Sequence, residues 1–173
     1  MVTTVAGVLF SAAAWADDFP GYAKVENFDG INGGNVADLR AAAKYTNNQP
    51  DFVTFVDSLF YSRTPGVDNY GSRISGFLTP TETADYVFFI ASDDSCSLYL
   101  STDSDPAKLK LIAADQGWQG SQTWVGPGDA TSGAGTTSAI FRLNSRSAGI
   151  RWSFASSSAQ YSILKASVLG SAT

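Results

Sequence analysis

Apolar and polar side chains alternate along much of the chain, with the period of β-strands. The segment 96–101, CSLYLS, places Cys96 and two leucines on one face and polar residues on the other, which predicts a strand with one buried and one solvated face. The segment 85–91, DYVFFIA, is apolar at nearly every position and predicts a strand covered on both faces. The pattern therefore indicates a layered, strand-rich core.

Further short strands are predicted on either side of these two. The segments RISGFL (73–78), KLKLIA (108–113) and AIFRL (139–143) favour strands, and turn residues such as those between Asp103 and Pro106 separate them. Several short strands at intervals of about 8–12 residues indicate an all-β domain. We expect an antiparallel β-sandwich or a barrel-like relative of one.

One short helix is predicted near the N-terminus, over the segment NVADLRAAAKY (35–45). Asn35 suits the N-cap position, and Val36, Leu39 and Ala43 follow at helical spacing. Pro50 lies shortly beyond the end of the pattern, where a helix no longer continues.

Both ends of the chain are predicted to lie outside the folded domain. Residues 1–16, MVTTVAGVLFSAAAWA, form an apolar run that ends in Ala14-Trp15-Ala16, which is typical of an export signal. A buried N-terminal strand or helix is the alternative, and the run is shorter than the roughly 20 apolar residues that span a bilayer. Residues 144–173 are rich in serine and lack a clean period. We expect a single folded domain at 17–143, a divergent or truncated tail at 144–173, and a secreted, periplasmic or cell-surface location.

Composition and charge exclude several classes of function. The chain has 173 residues, of which 44% are hydrophobic, so a single folded domain is expected. The net charge is −5 and the 11 Lys and Arg are scattered, which argues against binding to nucleic acid and against insertion into a membrane. There is no His, so Asp, Glu and amide oxygens are the available ligands, and these suit Ca²⁺ or Mg²⁺.

Candidate functional residues cluster around two connections between predicted strands. Asp93 and Asp94 are adjacent carboxylates between two strands; the residues alone favour an ordinary turn, because Asp is a preferred turn residue. Trp118 and Gln119 lie in a polar loop and could contact a sugar, with core packing of the tryptophan as the alternative. Tyr99 on the solvated strand face is a further aromatic candidate. Cys96, the single cysteine, is expected to be a buried strand residue.

Residues 68–124 resemble the PA14 family, and upstream residues extend the resemblance to about 22–143. The motifs that carry it are Gly-Phe-Leu-x-Pro at 76–80, Tyr-x-Phe at 86–88, Ala-Ser-Asp-Asp at 91–94, Leu-Tyr-Leu-Ser at 98–101, and the tryptophans Trp118 and Trp124. The resemblance implies a β-sandwich module of the kind found in secreted glycosidases, adhesins, toxins and lectins.

In lectin-like members of this family, an Asp-Asp pair joined by a cis peptide holds Ca²⁺, and the ion holds vicinal sugar hydroxyls. The matching positions are Asp93 and Asp94, so the resemblance implies a secreted, calcium-dependent carbohydrate-binding module with a glycan or polysaccharide as partner. The alternative is a non-catalytic structural or protein-interaction module, beside other domains of a larger surface protein, that has lost the sugar site. An enzyme is not expected, since adjacent carboxylates on one connection do not span a glycosidic bond.

Overall fold

The computed structural model describes residues 21–58, 60–63, 67–101, 103, 105–118, 140–143, 150–157 and 162–169. The expected export signal at 1–16 lies outside the described residues, and so do Gln119 and Trp124. Within the described residues, no helix is long and apolar enough to cross a membrane.

Ten strands form two antiparallel sheets within the described part of the chain. Their bounds are β1 Ala23–Asp29, β2 Phe52–Val56, β3 Phe60–Tyr61, β4 Tyr70–Leu78, β5 Ala84–Ser92, β6 Cys96–Leu100, β7 Lys110–Asp115, β8 Phe141–Leu143, β9 Ile150–Ser157 and β10 Ser162–Leu169. One sheet has the order β2-β1-β4-β9-β6-β7 and the other the order β3-β10-β5-β8. The prediction of an all-β, antiparallel fold is confirmed.

Side chains from both sheets contribute to one main apolar cluster. Val25, Ile74 and Leu98 come from the six-stranded sheet, while Phe88 and Ile90 come from the four-stranded sheet. Strand β5 is interior in its sheet, between β10 and β8, and is mostly buried along its length. The prediction that this segment is covered on both faces is thereby confirmed.

Cys96 opens β6 and is fully buried. Burial raises the pKa of its thiol, because a thiolate loses its hydration in an apolar interior. The expectation that Cys96 is a buried strand residue is confirmed.

The N-terminal helical segment is two short helices rather than one. Helix α1 spans Val36–Ala41 and helix α2 spans Ala43–Thr46. Ala42 between them has an extended ψ of 136°, and its N–H donates to the carbonyl of Leu39. The break allows Tyr45 in α2 to pack on Phe28, with ring centroids 5.3 Å apart.

A second, smaller apolar cluster holds α1 on the outer side of the six-stranded sheet. It consists of Phe28, Ile31, Val36 and Leu39. A Cβ built on Gly71 of β4 would lie 2.6 Å from Cδ1 of Leu39, so the missing side chain at Gly71 makes room for the leucine. The loop that precedes α1 is therefore fixed relative to the sheet.

A buried ion-pair group lies on the same outer face, beside the second cluster. Glu26 is 2% exposed and accepts from Lys24 Nζ and from Arg73 Nε, both at 2.7 Å. The Arg73 guanidinium also lies 5.2 Å from the ring centroid of Tyr45. Burial raises the pKa of Glu26, but the hydrogen bonds from Arg73 and Lys24 outweigh it and the net pKa is lowered.

The segment 144–173, expected as a tail beyond the domain, contributes an interior strand to each sheet. Strand β9 lies between β4 and β6, and β10 lies between β3 and β5. Pairing with two neighbours supplies hydrogen bonds to both edges of each strand, so backbone pairing overrides the lack of a clear period in the sequence. That the sequence of this segment diverges from the family stays a prediction.

Candidate functional site

Asp93 and Asp94 lie on a connection that joins the two sheets rather than at the tip of a hairpin. Strand β5 belongs to the four-stranded sheet and β6 to the six-stranded sheet, and residues 93–95 carry the chain across. The peptide bond between Asp93 and Asp94 is cis, as the resemblance implies. Ser92 Oγ donates to the carbonyl of Asp94 at 2.6 Å, and both aspartates remain partly exposed.

A glycine-containing loop between β1 and α1, residues 33–35, covers one side of this connection. The Ser95 N–H donates to the carbonyl of Gly34 at 3.3 Å, and the Val36 N–H donates to Ser95 Oγ at 2.8 Å. A Cβ built on Gly34 would lie 3.0 Å from Oδ2 of Asp94. The backbone of Gly34 therefore packs directly against the Asp94 carboxylate.

Trp118 lies three residues beyond the end of β7 and contacts the Asp93–Asp94 pair from the C-terminal part of the described chain. Its indole hydrogen-bonds to the Asp93 carboxylate, yet the residue is 63% exposed. A core tryptophan would be mostly covered, so the alternative of core packing does not hold for Trp118. The structure thus brings together three of the sequence-predicted site residues, while the fourth, Gln119, is outside the described residues.

The electrostatics of the connection favour a cation. Burial raises the pKa of Asp93, and the neighbouring negative charge of Asp94 raises it further, against the hydrogen bond from Trp118. Tyr70 is buried nearby, and burial together with surrounding charges that include Asp93 raises its pKa to about 12. A positive charge placed between the two carboxylates would relieve their repulsion.

The donor set suits a hard divalent cation, although the protein side chains alone do not complete it. Among the described residues there is no group of three or more His, Cys, Asp and Glu that could hold a metal ion. Ca²⁺ takes about 6–8 oxygens, and backbone carbonyls, water and ligand hydroxyls are acceptable members. Asp93 and Asp94 therefore fit as two carboxylate ligands, with the backbone of Gly34 packed against one side of Asp94.

Tyr99, the further aromatic candidate, and Asp103, in a predicted turn, both have structural roles. Tyr99 is engaged by Arg40, which donates to its hydroxyl and lies 5.1 Å from its ring centroid. Asp103 accepts from the Asp105 N–H at 2.9 Å and from Lys108 Nζ at 2.6 Å, which is the arrangement of a solvated turn.

Sequence reasoning missed Gly34 and Ser95. The adjacent glycines in the segment INGGN (31–35) are the signal that could have found the loop, since such a pair marks a turn or a close backbone approach. Nothing in the sequence indicated that this loop reaches the Asp-Asp connection.

Comparison with known proteins connects this geometry to a family. The sequence model of the PA14 domain matches residues 17–104. The mouse (Mus musculus) protein N-acetyl-beta-glucosaminyl-glycoprotein 4-beta-N-acetylgalactosaminyltransferase 1 is 36% identical over 129 residues, which is 75% of this chain and 12% of that protein. The chain therefore spans only a small part of this curated relative.

Solved structures of other proteins share the fold. The PA14 sugar-binding domain from an RTX adhesin superposes with a TM-score of 0.57 at 14% identity, over 87% of this chain and 92% of that domain. The Epithelial Adhesin 9 A domain from Candida glabrata, in complex with Galb1-4GlcNAc, gives 0.52 at 12% identity, over 84% and 78%. The match to the domain sequence, the two-sheet topology and the Asp-Asp connection agree, and the chain belongs to the PA14 domain family.

Proposed function

We propose that this protein is a calcium-dependent carbohydrate-binding module whose site is the Asp93–Asp94 connection. The observation that carries the proposal is the exposed indole of Trp118 hydrogen-bonded to the Asp93 carboxylate, whose neighbour in sequence is the second carboxylate, Asp94. The sugar-binding PA14 domain and the glycan-bound adhesin domain that share the fold support a carbohydrate as the ligand class.

The roles of the residues follow from their chemistry. Asp93 and Asp94 would hold the ion, and Ca²⁺ bound there would supply open coordination positions for two neighbouring sugar hydroxyls. The Trp118 ring would stack against the C–H groups of a pyranose, because an exposed indole offers apolar area beside a polar edge. Gln119 is proposed to hydrogen-bond the sugar, as its amide both donates and accepts.

A binding role without catalysis is part of the proposal. Glycoside hydrolysis needs two carboxyl groups about 5–5.5 Å or 6.5–9.5 Å apart across the scissile bond, whereas Asp93 and Asp94 are neighbours on one connection. The mouse relative is a transferase that is far longer than this chain, which is consistent with a module that accompanies activities carried elsewhere. Secretion, a periplasmic location or display on the cell surface fits such a role.

The second candidate is a structural or protein-interaction module that has lost the sugar site. The observation that favours it is the exposed apolar surface of edge strand β2, where Phe52, Val53 and Phe55 are 51%, 42% and 40% exposed. A module of this kind would bind neither calcium nor sugar at Asp93 and Asp94.

Calcium titration followed by a glycan array, with and without EDTA, separates the two candidates. We expect Ca²⁺ to raise the unfolding temperature by mass action, and glycan signals to vanish in EDTA. Asp94→Ala should lose both effects. The matched control is Asp57→Ala, an exposed aspartate just after β2, at the end of β1 and β2 opposite the site. An Asp94→Ala protein that binds calcium and glycans like the native protein would refute the proposal.

A further inference from the structure

We infer that Gly34 is a positioning residue for calcium, because the absence of a side chain there lets the Asp94 carboxylate keep the position that it has in this structure. The inference rests on the proposed function and deepens it by adding the loop before α1 to the site. Gly34 touches no ligand itself; it acts through the carboxylate of Asp94.

The space at Gly34 is limited on one side by a single group. A Cβ at this position would lie 3.0 Å from Oδ2, 3.3 Å from Cγ and 3.5 Å from Cβ of Asp94. The first two separations are tighter than ordinary van der Waals contact, while the third is ordinary. A methyl group at residue 34 would therefore press on the carboxylate, which would have to shift by a few tenths of an ångström, and would make only an ordinary contact with Cβ of Asp94.

The backbone of Gly34 does not itself require glycine. Gly33 has a φ of 107°, in the left-handed region that favours glycine, whereas Gly34 lies outside that region. Alanine at residue 34 is thus compatible with the local conformation, and the atoms nearest to the new methyl group all belong to Asp94.

The loop cannot easily retreat from Asp94. Ser95 is 3% exposed, and it both donates to the Gly34 carbonyl and accepts from the Val36 N–H. On the far side of the loop, Val36 and Leu39 are buried in the cluster under α1. Because the loop is held from both sides, the carboxylate of Asp94 is the group that must move.

The consequence is a folded protein with a displaced ligand. A shift of a few tenths of an ångström uses up much of the roughly 0.5 Å within which metal sites must hold their ligands, and disturbing the residues that orient a ligand typically weakens metal binding about 10–100-fold. We expect Gly34→Ala to weaken calcium binding by about tenfold or more while the protein remains folded.

The test is calorimetric titration with Ca²⁺ of the full chain, in its native form and as Gly34→Ala. The matched control is Gly117→Ala, since a Cβ there meets nothing within 4 Å and Gly117 also lies outside the left-handed region. Gly117 directly precedes Trp118, so it controls for a glycine replacement beside the site. We expect native affinity for Gly117→Ala and the loss for Gly34→Ala only.

A second measurement assigns the effect to Asp94 without any metal. Urea unfolding in EDTA measures the change in the free energy of unfolding that Gly34→Ala causes in the otherwise native protein. This change should disappear when Asp94→Ala is also present, because only the ordinary 3.5 Å contact with Cβ of residue 94 then remains. This double-mutant cycle isolates the contact between the two positions.

The outcomes distinguish the inference from the proposed function. A native protein that binds no Ca²⁺ refutes the proposed function and this inference with it. Native binding together with undiminished binding by Gly34→Ala refutes the inference and leaves the proposed function standing. The inference is also wrong if Gly34→Ala and Gly117→Ala lose equal calcium affinity, or if the stability cost of Gly34→Ala persists when Asp94→Ala is also present. Should Gly34→Ala alone fail to fold, the double variant must recover folding, or the inference is wrong.

Discussion

Glu26 offers the sharpest test of how the outer face of the six-stranded sheet is stabilised. It is 2% exposed and neutralises two cations, Lys24 and Arg73, each 2.7 Å away. Glu26→Gln keeps the shape of the side chain and removes its charge. Lys24 and Arg73 are then left without a counter-charge beside a neutral amide, with the Arg73 guanidinium against the rings of Phe28 and Tyr45.

The size of the effect follows from the burial of the three partners. Breaking a buried ion pair by removing one charge costs about 3–5 kcal/mol. The side chains of Lys24 and Arg73 keep 19% and 21% of their surface exposed, so both cations recover part of their hydration. We therefore expect a loss of about 3 kcal/mol at neutral pH, which lowers the unfolding temperature of a domain of this size by about 6–12 °C.

The pH dependence of the difference identifies its cause. The pKa of Glu26 is lowered below its usual 4.5 in the folded protein, so its contribution to the free energy of unfolding is complete above pH 4.5. That contribution is lost as the pH falls through the lowered, folded pKa, because a protonated glutamate is as neutral as glutamine. Urea unfolding of both proteins between neutral and acid pH should show the gap closing in that range.

The control is the exposed pair Arg142–Asp85, with 64% and 45% of the side chains exposed. Asp85→Asn should change the free energy of unfolding by about 0–1 kcal/mol. A Glu26→Gln protein as stable as Asp85→Asn at neutral pH would refute the reasoning, as would a large loss for Glu26→Gln that does not change with pH.

Three more expectations concern the clusters and the site. In urea unfolding, Leu39→Ala should lower the free energy of unfolding by about 2–5 kcal/mol and Gly71→Ala by about 1–3 kcal/mol. The double variant should lose less than the sum, because the new methyl group at residue 71 fills part of the void left by Leu39. Strict additivity would show that the two side chains do not share that space. The Cys96 thiol should react with a disulfide reagent only as fast as the protein unfolds, measured in a urea series, since it is fully buried and its pKa is raised; rapid labelling of the native protein would contradict this. In EDTA at neutral pH, Asp93→Asn should be more stable than the native protein in thermal unfolding, because the raised pKa of Asp93 means that its ionisation destabilises the fold. This advantage should shrink as the pH falls from the folded pKa towards the usual value of 3.8, and an Asp93→Asn protein less stable than native at neutral pH would count against it.

The strands with the strongest patterns were the most predictable. The segment 85–91 is apolar at nearly every position, and β5 is indeed interior to its sheet. The alternation at 96–101 also gave the correct buried face, with Cys96 and Leu98 fully buried. In both segments burial itself selects the side chains, so the pattern and the position in the fold agree.

The segment 144–173 was unpredictable for a physical reason. Its strands β9 and β10 have neighbours on both sides, and hydrogen bonds to those neighbours are independent of the side chains that a sequence displays. The break at Ala42 was equally hidden, because alanine is a good helix former and the extended ψ there serves the packing of Tyr45 on Phe28.

The candidate site was predictable only in part. Asp93, Asp94 and Trp118 could be named because their residue types carry recognisable chemistry. The part played by the loop at Gly34 could not be predicted. Its proximity to Asp94 depends on the packing of α1 over Gly71, where Leu39 fills the space beside the glycine, and Leu39 and Gly71 are distant in sequence. Local propensity carries no information about such a contact.

The interior positions of β9 and β10 determine when this domain can fold during its synthesis. Neither sheet is continuous until the ribosome has released these last two strands, because β4 and β6 meet only through β9, and β3 and β5 only through β10. Pairing between strands so far apart in sequence also slows folding. A nascent chain in which β9 and β10 have not yet been synthesised therefore lacks the interior strand of each sheet.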